Sequence, residues 1–438
     1  MIVRALSLGL AVLACVALFA IAWNFGEVGQ SVTPISVAQA AGGVVKGPNT
    51  RASDRYVYYP GTEVLAKDEI RVTACGTGMP AARRGQAATC FLIETGNGEK
   101  FLFDIGTGSM ANLAAMMIPY QYLDKVFLSH LHTDHMGDIL GLWAGGWTAG
   151  RPNALRVWGP SGATPEMGTK YAMDHFIKFV NWDKTTREYK ISPKPGQVET
   201  IEFDYKKENQ IIYQENGVTI RSFPAIHTGD GPISYSLAYA GLKVVFSGDT
   251  VPNNWFVKYA VGADLVIHEA FFGPEIFKKY YNQPAQLAWR TCCEFHTSAQ
   301  AFGKIMSTIK PRHAVAFHFF NEEATRYSVY EGIRETYAGP LSMATDMMVW
   351  NIKKDKIIER MAVSTDDAWS VPGTAEQPPP EKGKSDPITE CTDAARWVPG
   401  FKAQDRMLDE HMKKYNLQDQ DWRPAMYKKL QKPPANCG

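Results

Sequence analysis

The feature that most constrains this chain is a dense group of metal-ligand residues directly after a short apolar run. The run, Lys125–Ser129, is predicted to be a buried strand. Neutral imidazoles and carboxylates are the ligands that zinc and similar ions prefer. A lone histidine here would more simply be structural, but four ligand residues within six positions predict a metal site. They are His130, His132, Asp134 and His135.

Further ligand residues stand at the ends of later apolar runs. His227 follows residues 223–226, Asp249 follows a predicted strand that ends at Ser247, and His318 follows residues 314–317. A structural zinc site is closed by four ligands, whereas a catalytic site keeps positions open. Ligands gathered from several strand ends at one sheet edge are typical of an active site. The set is large enough for two ions that share Asp249.

In this order and spacing, these residues resemble the metallo-β-lactamase superfamily, and within it the ribonuclease Z and arylsulfatase branch. The likeness runs from about Ile70 to His318. A narrower resemblance is to exported metallo-hydrolases named after guanitoxin biosynthesis, and it implies no particular substrate. The further matching motifs are Gly76–Gly78, Gly159–Gly162, Ser247–Thr250, His268–Ala270 and His296–Ser298.

The resemblance implies an α/β fold, a four-layer αββα sandwich with metals at the sheet edges. It implies two divalent ions, expected to be Zn²⁺, and a bridging water or hydroxide as the nucleophile, because two dications lower the pKa of water. Asp134 would also orient that hydroxide. By position, one ion would take His130, His132 and His227, the other would take Asp134, His135 and His318, and Asp249 would bridge them.

The resemblance also implies a proton relay. Glu269 would hold the imidazole of His296, which would protonate the leaving oxygen. The alternative is that His296 is only a polar residue before a helix that starts near Ser298. His268, next to Glu269, would face away on a strand and is expected to be structural.

The net charge of the chain and the short segment between His227 and Asp249 both argue against RNA as the substrate. The formal net charge is +1, whereas proteins that bind phosphate backbones usually carry a basic excess. Ribonuclease Z enzymes carry a long tRNA-binding arm between the positions that match His227 and Asp249. Only 21 residues, with a strand-like pattern, separate them here. A tRNA 3′-processing role is therefore disfavoured, and no nucleic-acid partner is expected.

Aromatic residues near the ligands suit a small organic ester. Arg83, in the glycine loop, could meet an anionic group. The alternative for the rings is that they pack the sandwich. The candidate substrate-binding residues are Arg83, Trp143, Trp147 and Phe319.

The sequence thus predicts an exported binuclear hydrolase of small phosphate or sulfate esters. The alternative from another class is a non-hydrolytic metal-binding or redox member of the superfamily. Intact Asp134, Glu269 and His296 favour hydrolysis, because a protein that only binds metal needs no acid.

The chain begins with an uncharged, mainly apolar stretch from Ala5 to Gly26, preceded by Arg4. With the small residues Ala38 and Ala40, this predicts a signal peptide or a membrane anchor, and a periplasmic location of the rest. Membrane contact would come only through this segment, and a homodimer is left open. The predicted organisation is 1–40 export segment, 41–67 lead-in, 68–365 catalytic domain, 366–387 Pro-rich linker and 388–438 C-terminal extension.

Six cysteines follow the export segment, and an even number permits disulfides in an exported chain. Cys75 and Cys90 flank the glycine loop, and Cys391 and Cys437 flank part of the extension. The alternative is that several cysteines are buried apolar residues.

Overall fold

The computed structural model describes residues 56–374 and 402–421, with the single positions 381, 387–389, 392 and 423. The export segment, most of the lead-in, Cys391 and Cys437 lie outside the described residues. In the ranges just given, no helix is both long enough and apolar enough to cross a bilayer.

Most strands of the described part are buried on both faces, as expected for sheets covered by helices, whereas Val198–Phe203, Gln210–Glu215 and Ile357–Ala362 keep exposed positions. Their bounds are β1 Val57–Tyr58, β2 Ile70–Gly76, β3 Cys90–Thr95, β4 Lys100–Phe103, β5 Lys125–Phe127, β6 Leu155–Pro160, β7 Val198–Phe203, β8 Gln210–Glu215, β9 Val218–Pro224, β10 Ile233–Tyr239, β11 Leu242–Phe246, β12 Leu265–Glu269, β13 His313–Phe317, β14 Leu341–Met343, β15 Met348–Ile352 and β16 Ile357–Ala362.

The α-helices lie mostly between these strands. Their bounds are α1 Ser109–Ala115, α2 Thr133–Met136, α3 Ile139–Thr148, α4 Thr169–Phe179, α5 Asn181–Glu188, α6 Asn254–Ala260, α7 Pro274–Tyr281, α8 Ala285–Glu294, α9 Ala299–Ile309, α10 Glu323–Arg334 and α11 Lys402–Tyr415.

The strands form two sheets that pack face to face. One has the order β1-β16-β15-β2-β3-β4-β5-β6-β7, and the other has the order β14-β13-β12-β11-β10-β9-β8. Side chains such as Phe91 and Phe246, from facing strands, fill the core between them, with ring centroids 5.6 Å apart. Two further apolar clusters lie on the outer faces under helices, for example around Leu142 and Phe302. The predicted four-layer αββα sandwich is confirmed.

The helix predicted to start near Ser298 is present, and its first residues follow a capping side chain. Ser298 caps α9 by accepting a hydrogen bond from the Ala301 N–H, as expected from its position. Directly after α4, residues Asn181–Glu188 form helix α5.

Two features at the start of the domain differ from simple expectation. Val57 and Tyr58, assigned to the lead-in, form edge strand β1 and pair in parallel with Met361 and Ala362. Cys75 and Cys90 do lie on neighbouring strands, but both are free, buried thiols in the structure. They pack as small apolar residues there.

Candidate metal centre

The predicted ligands meet where parallel strands end. Strands β4 and β5 run parallel in the larger sheet, as do β11, β12 and β13 in the smaller one. Carboxyl ends of parallel strands lie at one edge of a sheet, where α/β proteins place their ligands. His130 follows β5, Asp249 follows β11 and His318 follows β13, so all three reach this edge.

Local backbone geometry orients the remaining candidate ligands toward the same site. His132 is the N-terminal cap residue of the one-turn helix α2, which carries Asp134 and His135 on its buried side. Gly248, before Asp249, has φ +60°, and a Cβ there would lie 2.6 Å from the Cβ of Ser129. Only glycine fits that position without a shift of the backbone.

The first group of ligand atoms comes from His130, His132, His227 and Asp249, which lie close enough to hold one ion. His132 Nδ1 is 3.0 Å from His130 Nε2 and 3.3 Å from His227 Nε2. Burial lowers the pKa of His130 well below its usual range, lowers that of His132, and lowers that of His227 to about 4. These imidazoles are therefore neutral near pH 7, the form that binds metal.

The second group comes from Asp134, His135, Asp249 and His318. His318 Nε2 lies 3.3 Å from Asp134 Oδ2 and 3.4 Å from Asp249 Oδ2. Burial alone would raise the pKa of Asp249, but the imidazoles of His135 and His318 hold it well below its usual range. Asp249 belongs to both groups, as the sequence predicted.

The side chains by themselves leave an excess of negative charge that a cation would balance. Burial alone would lower the pKa of His135, but three carboxylates, Asp249, Asp104 and Asp134, raise it well above its usual range. His135 Nε2 and Asp249 Oδ1 lie 3.2 Å apart, yet neither has a hydrogen-bond partner, and nor does buried Asp134 Oδ1. Buried polar atoms normally form hydrogen bonds, whereas these point toward one another without forming any. That arrangement is expected of atoms that together bind a divalent ion.

One buried residue that orients the ligands was missed from the sequence. Asp104, at the end of β4, accepts a hydrogen bond from His135 Nδ1 at 2.6 Å and two from Ser129, both at 2.7 Å. Ser129 Oγ also lies 3.1 Å from His130 Nδ1. Such outer hydrogen bonds set the tautomer and direction of metal-binding imidazoles. The available signal was a carboxylate at a strand end, beside the strand that leads to His130.

The expected relay pair is assembled beside the second group. Glu269 Oε2 and His296 Nδ1 lie 2.9 Å apart in a hydrogen bond, and Glu269 Oε1 accepts from the Thr250 N–H. Burial, and secondly the charge of Asp249, raise the pKa of Glu269 well above its usual range, so the pair retains a proton. His296 Nδ1 is 3.9 Å from Asp249 Oδ2, which puts that proton next to the metal ligands.

Two tryptophans predicted to bind substrate are in the core instead. Trp143 and Trp147 are 0% and 1% exposed and pack in the outer cluster beneath α3. Their indole N–H groups donate to the carbonyls of Gly196 and Ser192. Both therefore stabilise the sandwich, because every third or fourth residue of an amphipathic helix faces the core.

Phe319 and Arg83 also differ from the prediction. Phe319 is 1% exposed and belongs to the cluster beneath α9, although its carbonyl accepts from Gln86 Nε2. Arg83 is partly exposed, but its guanidinium is ion-paired with Glu322 and lies over the Phe320 ring. Neither side chain is free to bind substrate in this structure.

His268 is buried with its Nδ1 bonded to the Glu269 carbonyl and its ring edge-on to Phe256. It is structural, as expected.

Residues 83–270 match the family described as the metallo-beta-lactamase superfamily. A protein named ribonuclease Z from Mycobacterium sp. (strain KMS) is 29% identical over 236 residues, which are 53% of this chain and 77% of that protein. Ribonuclease Z from Mycobacterium bovis (strain BCG / Pasteur 1173P2) is also 29% identical, over 53% of this chain and 79% of its own. Among solved structures, the metallo-beta-lactamase fold protein YhfI from Bacillus subtilis aligns with TM-score 0.48 and 19% identity, over 65% of this chain and all of its own.

Over residues 83–270 the chain is thus similar to the metallo-β-lactamase superfamily. Within that class, the ribonuclease Z branch is supported by the sequence relatives. Because those relatives are named ribonucleases, the expectation of no nucleic-acid partner finds no support among them.

Proposed function

We propose that the chain is an exported binuclear hydrolase that cleaves small phosphate or sulfate esters with two bound Zn²⁺ ions. The observation that carries the proposal is one buried cluster in which two ligand groups share Asp249 and adjoin a Glu269–His296 pair. A protein that only stored metal would not need a buried proton-holding pair beside its ligands.

His130, His132 and His227 would hold one ion, Asp134, His135 and His318 the other, with Asp249 shared. Divalent ions in these positions lower the pKa of water and stabilise negative charge on the attacked group. Three residues of the chain would then take part in proton transfer and in positioning of the water. Asp134 would orient the attacking water, Glu269 would fix the imidazole, and His296 would give its proton to the leaving oxygen.

A small substrate is supported by what lies between His227 and Asp249. That segment forms β10 and β11, which pair with each other in register from Tyr235–Phe246 to Tyr239–Leu242. Its residues thus belong to the smaller sheet, with no arm that could reach a tRNA. At the edge of the site, the positive charge of Arg83 is already matched by Glu322.

A second candidate, cleavage of RNA phosphodiesters, is favoured by one observation, the 29% identity to proteins named ribonuclease Z. The two candidates share the metal chemistry and differ in the size of the substrate.

The deciding experiment is a substrate panel on the full chain reconstituted with Zn²⁺. It should contain p-nitrophenyl phosphate, bis(p-nitrophenyl) phosphate, p-nitrophenyl sulfate, a lactone, and a 3′-extended tRNA precursor. We expect turnover of at least one small ester and none of the tRNA, and loss of turnover in His132→Ala. Exposed His175 on α4 provides the control, since His175→Ala should keep full activity. Cleavage of tRNA without turnover of any small ester would replace the proposal by the second candidate.

Export is tested separately, by N-terminal sequencing of the chain and fractionation of the producing cells. Recovery of full-length chain in the cytoplasm would contradict it.

A further inference from the structure

A helical hairpin is inserted between the two residues of the relay pair. Residues 273–294, here named the cap hairpin, contain α7 and α8, which pack on each other. The turn between them starts at Asn282, whose φ of +49° ends α7. The hairpin therefore leaves the sheet just after Glu269 and returns just before His296.

The residue directly after the cap hairpin contacts the first ligand group. The carbonyl of Phe295 accepts a hydrogen bond of 2.7 Å from Nδ1 of His227. The two ends are tied together at their base, because the Phe271 N–H donates to the Thr297 carbonyl. Phe271 also stacks on His296, with ring centroids 4.2 Å apart. One end of the hairpin is thus fixed to the metal centre.

The far end of α7 meets the other side of the site. The Tyr280 hydroxyl donates to Glu322, which is also the ion-pair partner of Arg83. Phe320 packs between them, with its ring centroid 4.5 Å from Arg83 Cζ and 5.2 Å from the centroid of Tyr280. We name these four residues the rim clamp. It joins the cap hairpin to the glycine loop and to the loop that follows His318.

The cap hairpin adds little to the core. Helix α7 has no fully buried residue, although Ile276 and Phe277 pack partly buried against the apolar cluster beneath α9, and α8 buries only Ala288 and Cys292. Leu287 and Trp289 on α8 are about half exposed. The hairpin is fixed at one end, and elsewhere it is held by partly buried rings and a partly exposed ion pair. A segment with so few fully buried residues can open without unfolding the domain.

We infer that the cap hairpin sets the size of the ester that reaches the metal centre, and that Glu322 of the rim clamp is the residue that holds it closed. The inference deepens the proposed function and rests on it for the substrate class. Closed, the hairpin is anchored beside His227 at one end and at Glu322 at the other, so a bulky leaving group must displace α7. Glu322 acts through Arg83 and Tyr280 and is therefore a positioning residue that determines specificity.

The test compares Glu322→Gln and Tyr280→Phe with wild type, in the full metal-loaded chain. Matched controls are Glu275→Gln, an exposed glutamate on α7 outside the clamp, and Tyr327→Phe, an exposed tyrosine on α10. Two esters of the same acid are used, one with a p-nitrophenyl and one with a fluorescein leaving group. We expect the clamp variants to raise the ratio of kcat/KM for the bulky over the small ester by about twofold to fivefold, the range that one partly exposed ion pair supplies.

The change should lie in KM for the bulky ester, with kcat for the small ester unchanged and both controls at the wild-type ratio. A second readout needs no substrate. Trypsin can cut the hairpin after Lys278, Lys279 or Arg290, and it should do so faster in the two clamp variants than in the controls.

An unchanged ratio, or wild type that turns over both esters equally, overturns the inference. If no small ester is hydrolysed at all, the proposed function fails instead. The proteolysis result then decides whether Glu322 holds the hairpin closed, and equal cleavage of all five proteins overturns that too.

Discussion

The metal centre and the cap hairpin with its rim clamp lie side by side, yet they are attached to the molecule in opposite ways. The ligands leave the ends of buried strands, and buried partners such as Asp104 anchor the second nitrogen of their rings. The hairpin is a helical insertion whose first helix has no fully buried residue. A group held by the core has one geometry, whereas a surface insertion can have several. Substitutions in the centre should therefore abolish turnover, and those in the clamp should change selectivity.

The most severe test of this contrast is Asp249→Asn, because Asp249 is the ligand that both groups share. Loss of its charge should release metal and lower kcat/KM on the order of 10³-fold, as when a charge-stabilising group is removed from an active site. The measurements are metal content per chain and steady-state kinetics on the small ester. Activity close to wild type with full metal content would show that the two groups do not act as one centre.

The next largest effect is expected from Glu269→Gln, which keeps the shape of the side chain but removes the carboxylate that holds His296. We expect kcat to fall by about 10²-fold, at the low end for general acid–base catalysis, with metal content unchanged. Esters with good leaving groups should be affected least, because they need less help from an acid. Equal losses across a series of leaving groups would argue that the pair is structural.

Asp104→Asn addresses the orientation of the ligands rather than the ligands themselves. Weaker anchoring of His135 should lower metal affinity by about 10–100-fold, the usual cost of losing an outer partner. Zinc titration against a competing chelator measures it. The control is Asp264→Asn, which makes the same substitution directly before β12, where the aspartate pairs with Arg312 instead of a ligand. It should leave zinc affinity as in wild type. A matching loss in both variants would mean that general destabilisation, not orientation, is responsible.

The smallest effect on catalysis is expected from Trp143→Phe. The change removes the indole hydrogen bond to Gly196 and should lower the free energy of unfolding by about 1–3 kcal/mol, because a buried carbonyl loses its partner. Chemical denaturation measures it, and Trp182→Phe at an exposed tryptophan of α5 should have almost no effect. A loss of kcat/KM without any loss of stability would contradict the assignment of this ring to the core.

The ligand set was predictable because its signal is local. His130 to His135 lie in six consecutive positions after an apolar run, and His227, Asp249 and His318 each follow a strand. Strand periodicity locates the end of a strand, and side-chain chemistry identifies a ligand. Neither requires knowledge of distant contacts. The sequence therefore predicted which candidate ligands converge and, by resemblance, the four-layer fold.

What the sequence could not predict was the direction in which equally suitable side chains face. Trp143, Trp147 and Phe319 stand near ligands along the chain, but the register of their helix or loop against the sheets turns them into the core. The position of Asp104 beside His135 depends on the pairing of β4 with β5, and the rim clamp joins residues from three distant segments. The sequence by itself determined which chemistry the chain carries, whereas tertiary packing decided which side chains surround it, because contacts between distant segments exist only once the sheets are assembled.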